Sequence, residues 1–179
     1  MITAEYINDL CTRSHVMAKE KGWWDEDRSP YELGNLCHSE LSEALEELRD
    51  GRGVTEVYFK EDKPTKPEGF PTEMADFVIR LADWAADKGE MSEELAYAIN
   101  GGLGECKHMD LQAELTELHE AVNTSVEAAI NKSQKPHTLY ASIALAFFTA
   151  EGLGIDLAAV IEQKMAYNAT RPIRHGRTF

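Results

Sequence analysis

The stretch that decides the fold is Leu36–Leu48, which reads LCHSELSEALEEL. Its pattern predicts a helix with three glutamates spaced i, i+3, i+7 on one face. These are Glu40, Glu43 and Glu47. Three leucines repeat that spacing on a neighbouring face: Leu41, Leu45 and Leu48. We therefore expect a helix that carries a row of carboxylates beside an apolar stripe packed on a core.

A second acidic pair, Glu73 and Asp76, lies in another apolar helical pattern, TEMADFVIRLADWA. Each acidic pair taken alone is most often a solvated helix face. Two such pairs on packed helices are harder to explain as solvated faces, because a cluster of carboxylates beside a core is costly to bury without a cation. Carboxylate oxygens are the ligands that Mg²⁺ prefers. The sequence therefore predicts one Mg²⁺ site made by two helices.

The overall composition limits the classes of partner. A chain of 179 residues suits one domain and can bury a core. Its formal net charge of −14 argues against a protein that grips duplex nucleic acid or an anionic membrane through its overall field. Free nucleotides that carry their own Mg²⁺ remain plausible partners, since a local site can be cationic on an acidic protein.

The expected compartment is the cytoplasm. Cys11, Cys37 and Cys106 form no CxxC motif and are odd in number, which favours a reducing environment over a disulfide framework. The segment MITAEYINDL lacks the pattern of a signal peptide. The most apolar run, 139–150, is too short to span a bilayer.

The first hundred residues predict four helices. The first covers 2–21, with Thr3 as N-cap; the second opens at Pro30 and runs to Arg49. The segment VTEVYF, 54–59, is a very short strand or a loop, and EDKPTKPEGFP, 61–71, is predicted as a loop. Thr72 is expected to cap a third helix from Glu73 to about Lys88. A short fourth helix covers 92–100.

The second half of the chain resembles a weakened copy of the first. AELTELHEAV, in the predicted helix 110–130, can be laid over SELSEALEEL, and the apolar segment 139–168 takes the place of the third and fourth helices. This similarity predicts a partial internal duplication, packed as a pseudo-dimer of about seven helices. The copy keeps Glu114 and Glu117 but has no acids equivalent to Glu73 and Asp76. We therefore expect the metal site in the first half.

Three segments carry a resemblance to a known family. SELSEALEELRDG, KPEGFPTEMADFVIRLADW and KMAYNATRPIRHG resemble the motifs of the MazG-like, all-alpha nucleoside triphosphate pyrophosphohydrolases. The family pattern ExxE followed by ExxD matches four residues. They are Glu40, Glu43, Glu73 and Asp76. The resemblance implies an all-α bundle over 1–179, with a catalytic half at 1–100 and a degenerate repeat plus a nucleotide-contacting helix at 101–179.

By the same resemblance, the reaction is hydrolysis of a (deoxy)nucleoside triphosphate to the monophosphate and pyrophosphate, for nucleotide-pool control or house-cleaning. The four acids hold Mg²⁺, with Mn²⁺ as a substitute. An attacking water held by metal or carboxylate would be oriented by Glu43 or Glu47. Glu47 is the weaker candidate, because one turn beyond Glu43 it could equally face solvent.

The resemblance also suggests residues that bind the substrate. Lys164, Asn168 and Arg171 match a KxxxNxxR pattern linked to phosphate and nucleotide contacts, although late helical cations often only complement the helix dipole. Against the deoxycytidine triphosphatase branch, with similarity to the dUTPase branch, His15 and Trp24 take base-contacting positions. A Trp ring can stack on a base or serve as a core aromatic. The preferred base stays open.

Two other hypotheses remain. The chain could be a non-catalytic nucleotide- or metal-binding protein derived from this fold, or its acidic rows could only be solubilising faces. Oligomeric state also stays open, because the internal copy lowers the need for a homodimer partner without removing it. A basic C-terminal tail of Arg174, His175 and Arg177 either closes over the triphosphate or is a disordered end.

Overall fold

The computed structural model describes residues 2–101, 110–131 and 136–176, and within them the fold is helical. The α-helices in chain order are α1 Ala4–Glu20, α2 Pro30–Arg49, α3 Phe70–Lys88, α4 Glu93–Asn100, α5 Leu111–Ile130, α6 His137–Gly152 and α7 Leu157–Thr170. A 3-10 turn, Ile173–Gly176, follows α7. The all-α class and the seven helices are confirmed for this part of the chain.

Local sequence signals account for most helix ends. Thr3 Oγ1 accepts from the backbone N–H of Tyr6, as predicted. The second helix begins at Pro30, behind a Ser29 cap. The Thr72 prediction is wrong, because α3 starts at Phe70, three residues before the predicted start at Glu73, and its N-cap is Gly69. Thr72 lies inside the first turn, where its hydroxyl donates to the Glu68 carbonyl oxygen.

The loop predicted at 61–71 is also corrected. Strands β1 Tyr58–Lys60 and β2 Lys63–Glu68 form an antiparallel hairpin that leads into α3. Gly69 joins β2 to α3 with a φ of 112°, and a Cβ there would lie 2.3 Å from the Glu56 carbonyl oxygen. Only glycine fits this junction without displacing the backbone. The hairpin thus fixes the start of the helix that carries Glu73.

Helix α3 lies at the centre of the bundle. It packs against α1 and α2 on one side and against α6 and α7 on the other. Its central side chains are fully buried, among them Phe77, Leu81 and Trp84. Because four helices surround it, even the acidic side chains of Glu73 and Asp83 on α3 are buried.

Helix α2 buries a different stripe from the predicted one. Leu33, Cys37 and Leu41 are buried, whereas Leu45 is 39 % exposed, so the prediction for Leu45 is wrong. The buried face is rotated toward Glu40, which is only 4 % exposed. The first glutamate of the acidic row therefore points into the protein.

The second-half helices α5 and α6 pack on each other, and they dock on α2 and α3 respectively. Gly34 allows α2 to approach α5 closely, since a Cβ at this position would lie 2.4 Å from Val126 Cγ2. The internal duplication itself stays a prediction.

No single helix in the described ranges is long and apolar enough to cross a membrane. By length and composition, one bent pair, α6 with α7 at 115°, passes such a test jointly.

Candidate functional site

Three of the four predicted metal ligands meet between α2 and α3. Glu40 comes from α2, and Glu73 and Asp76 come from successive turns of α3. Each offers a carboxylate oxygen, and these three oxygens lie within 4.8 Å of one another. Glu40 and Glu73 are each 4 % exposed, so the cluster lies in the interior rather than on a solvated face.

Two cations and an amide contact this cluster. Nε and Nη2 of Arg80 lie 2.5 Å from Glu40 Oε1. Lys164 is 1 % exposed and places Nζ 2.8 Å from Asp76 Oδ2. Asn168, one turn further along α7, donates from Nδ2 to Asp76 Oδ1 at 3.4 Å. The predicted substrate-binding residues Lys164 and Asn168 thus contact a predicted metal ligand directly.

Glu73 is the carboxylate without a direct partner. Among the described residues its side chain makes no salt bridge and no hydrogen bond. Burial raises the pKa of Glu73 to about 8; nearby carboxylates add to the rise, and Lys164 opposes it. Burial likewise raises the pKa of Glu40, although Arg80 lowers it in part. With all three carboxylates ionised, the cluster would hold more negative charge than Arg80 and Lys164 neutralise.

The other two glutamates of α2 are placed differently. Glu43 is exposed and lies outside the group of three, but its charge raises the pKa of both Glu40 and Glu73. Glu47 is half-buried and accepts from the Tyr58 hydroxyl at 3.1–3.2 Å. It can form a second carboxylate group with Glu68 and Glu73.

Glu68 was missed because its segment, at the end of β2, was predicted as a loop. It is buried and paired with Lys66 at 2.8 Å and with Lys60 at 3.5 Å. Glu73 is therefore shared between two neighbouring groups of acids.

The donor set fits Mg²⁺. Three carboxylates converge, and Asn168 Oδ1 is a buried amide oxygen without a hydrogen-bond partner among the described residues. Hard oxygen donors of this kind are the preferred ligands of Mg²⁺. An unsatisfied buried acceptor next to three converging carboxylates is an arrangement that could hold a divalent cation.

A cleft of about 720 Å³, counted to its open mouth, adjoins the cluster. Asp76 and Arg80 line the end next to the acids, and Arg171 and Lys21 also line the cleft. The remaining wall is largely apolar and comes from α1, α2 and α3, with Trp23 and Arg28 from the α1–α2 connection. The arrangement places an acidic cluster beside a partly apolar cleft that opens to solvent.

The rings of His15 and Trp24 lie 5.2 Å apart, and both side chains bind Asp83. His15 Nδ1 lies 2.7 Å and Trp24 Nε1 lies 2.8 Å from Asp83 Oδ1. Burial raises the pKa of Asp83, and the bonds from His15 and Trp24 oppose that rise. Asp83 lines the cleft, whereas these two rings are not among the residues that line it. Asp83 was missed, although Asp76, Arg80 and Asp83 follow i, i+4, i+7 on one helix face.

Arg171 ends α7 as its C-cap and lines the cleft. Beyond it, Arg174 donates from its backbone N–H to the Lys21 carbonyl oxygen (2.8 Å) and from Nε to that of Gly22 (3.0 Å). The chain after α7 is thus tied to the end of α1. Arg177 and the His175 side chain lie outside the described residues.

No protein-family model, curated protein or solved structure matches this chain at a significant level.

Proposed function

We propose that the protein is a Mg²⁺-dependent nucleoside triphosphate pyrophosphohydrolase of the MazG-like type, which converts a (deoxy)nucleoside triphosphate to its monophosphate and pyrophosphate. The observation that carries the proposal is Glu73: a carboxylate 4 % exposed, unpaired among the described residues, and shared by two groups of acids beside a cleft. Burial of such a group is costly unless a cation joins it.

Glu40, Glu73 and Asp76 hold the ion in this proposal, with Asn168 Oδ1 as a further oxygen donor. When bound, Mg²⁺ supplies charge neutralisation at the phosphate oxygens and a lower pKa for a coordinated water. Mn²⁺ has similar ligand preferences and serves as a substitute.

Exposed Glu43 is the general base of the proposal. It lies close enough to influence Glu40 and Glu73, and no salt bridge or side-chain hydrogen bond holds it within the described part of the chain. It orients a water for attack on phosphorus and takes the water's proton. Glu47 is less suited, because the Tyr58 hydroxyl bonds to its carboxylate.

Helix α7 and its C-cap residue contribute the part of the proposed site that binds the phosphates. Lys164 and Asn168 hold Asp76 in position, and Arg171 lies at the cleft, where its guanidinium can bind phosphate oxygens. In the proposed domain organisation, 1–100 supplies the acids and 101–179 supplies this helix as part of a degenerate repeat. A cytoplasmic nucleotide-pool enzyme is the corresponding cellular role, and a homodimer is compatible with it.

The decisive experiment separates products from a panel of ribo- and deoxynucleoside triphosphates incubated with Mg²⁺ or Mn²⁺. Pyrophosphate with monophosphate supports the proposal, and release of orthophosphate with diphosphate contradicts the assigned bond cleavage. Glu40→Gln should reduce the rate on the order of 100-fold or more, because it removes a ligand. Glu114→Gln is the matched control, since Glu114 takes the equivalent place in the second half and binds Thr149 instead.

The second candidate is a non-catalytic protein that binds nucleotide and Mg²⁺ at the same site. Arg80, Lys164 and Asn168 already contact Glu40 and Asp76, so the acidic cluster has a structural role that needs no catalysis. This observation favours the second candidate. Intact triphosphate for every nucleotide with either metal, together with Mg²⁺-dependent binding, would reject the enzyme and support this candidate.

A further inference from the structure

Arg28 is a buried cation with an incomplete set of partners. Its side chain is 8 % exposed. Nε donates to Glu32 Oε1 at 2.8 Å, and Nη1 lies 3.9 Å from Asp83 Oδ2. Nη2 is buried and has no hydrogen-bond partner in the part of the chain that the structure describes. An unpaired guanidinium N–H in the interior is unfavourable, so a missing acceptor is expected there.

The cleft is the cavity next to Arg28 in which an acceptor could lie. Arg28 lines it together with Ser14, whose hydroxyl is also buried and unpaired among the described residues. Two unsatisfied polar groups, from the α1–α2 connection and from α1, therefore border one cavity. The wall contains charged residues such as Lys21 and Asp83, and beside them the apolar and aromatic side chains of Leu33, Leu36 and Trp23. A flat, largely apolar ligand with a few polar atoms suits such a cavity.

The charges around Arg28 favour a neutral acceptor over a phosphate. Glu32 and Asp83 already balance its positive charge. A phosphate at this point would lie beside the Asp83 carboxylate, which repels it. Arg28 is also fixed in place, since its guanidinium carbon lies 5.7 Å from the ring centroids of both Trp23 and Trp24. A fixed guanidinium whose Nη2 has no acceptor among the described residues is suited to a carbonyl oxygen.

We propose that Arg28 is a specificity-determining residue, and that the cleft selects nucleobases that present a ring carbonyl oxygen to Arg28 Nη2. This inference rests on the proposed function for the identity of the ligand as a nucleotide. Guanine, hypoxanthine, cytosine and uracil carry such a carbonyl, whereas adenine has none. An adenine amino group in the same place would oppose one donor with another and leave Nη2 unsatisfied.

The test measures binding rather than turnover. Deoxynucleoside α,β-imido triphosphates of hypoxanthine, guanine, cytosine, uracil and adenine are titrated with Mg²⁺, and binding is followed by the fluorescence of Trp23 and Trp24. Hypoxanthine and adenine form the sharpest pair, because they differ in the oxo or amino group at C6. A charge-assisted hydrogen bond gives an expected preference of about 10- to 100-fold for at least one oxo base over adenine.

Arg28→Met should remove this preference, while Arg13→Met is the matched control. Arg13 also pairs with two acids, Asp9 and Glu162, but it does not line this cleft. Adenine binding as tightly as every oxo base would overturn the inference, and this comparison needs only the wild-type protein. An unchanged preference in Arg28→Met, or no binding of any nucleotide, would overturn it as well.

Failure of the proposed function gives a different result. Selective binding of oxo-base nucleotides without hydrolysis of the natural triphosphates would support the role of Arg28 and reject the enzyme. Hydrolysis of all triphosphates with equal efficiency would support the enzyme and reject the role of Arg28.

Discussion

Replacing Glu73 by glutamine should stabilise the metal-free protein at high pH. The pKa of Glu73 in the folded protein is about 8, against an ordinary value of 4.5. The folded state therefore binds more protons than the unfolded state between these values, so the free energy of unfolding falls as pH rises. The slope is about 1.4 kcal/mol for each pH unit, which amounts to on the order of 5 kcal/mol by pH 8.

Glutamine has nearly the same shape as glutamate and stays neutral. The free energy of unfolding of Glu73→Gln should therefore not fall in this way as pH rises. The variant and the wild type should be about equally stable near pH 5 and should diverge as pH rises to 8. The measurement is urea unfolding in EDTA at several pH values, followed by tryptophan fluorescence. Added Mg²⁺ should stabilise the wild type, more at pH 8 than at pH 6, because binding displaces the Glu73 proton. It should stabilise the variant little.

Glu68→Gln is the control. Glu68 is as buried as Glu73 but is paired with Lys60 and Lys66, so its loss should cost about 1–3 kcal/mol at pH 8. Opposite signs for two glutamates of equal burial would show that the charge of Glu73, unlike that of Glu68, has no compensating cation in the metal-free protein. A Glu73→Gln variant less stable than the wild type at pH 8, or a difference that does not change with pH, would refute the argument.

Other substitutions test the packing around the site. Lys164→Met should destabilise the protein by about 3–5 kcal/mol in urea unfolding, because Asp76 loses its buried cation; an effect below 1 kcal/mol would contradict that pairing. Gly34→Ala should cost about 1–3 kcal/mol through its contact with Val126, and Val126→Ala in the same chain should recover much of the loss. Gly69→Ala should lower the melting temperature by several degrees, since it combines a φ of 112° with a backbone clash.

The sequence predicted the helices well and the site in part, for physical reasons. Helical periodicity and caps such as Thr3 are local signals, so seven helices could be placed. The hairpin was missed because its strands contain Lys63, Pro64 and Pro67, which indicate a loop. Spacing showed that Glu40 shares a helix with Glu43, but it did not show which of them faces inward. That depends on how α2 is rotated against α3.

The cleft residues were harder to find, because their roles depend on contacts between distant segments. His15 and Trp24 were expected to contact a base, and the structure shows each of them bonded to Asp83. A role for Arg28 could not be predicted from the sequence, since a single arginine in a polar connection belongs to no recognisable motif. Its burial follows from packing between Trp23 and Trp24 and from Glu32 one turn later.

The balance of charge at the cluster separates a ligand site from a structural ion-pair network. In a purely structural network each buried carboxylate has its own cation, as Glu40 has Arg80 and Asp76 has Lys164. Glu73 breaks that rule within the described residues, although it is equally buried and lies between two groups of acids. A protein selected only for stability would gain by replacing it with a neutral or apolar residue. The proposed cation would account for an unpaired glutamate at this point, and the different responses of the wild type and Glu73→Gln to Mg²⁺ test that proposal.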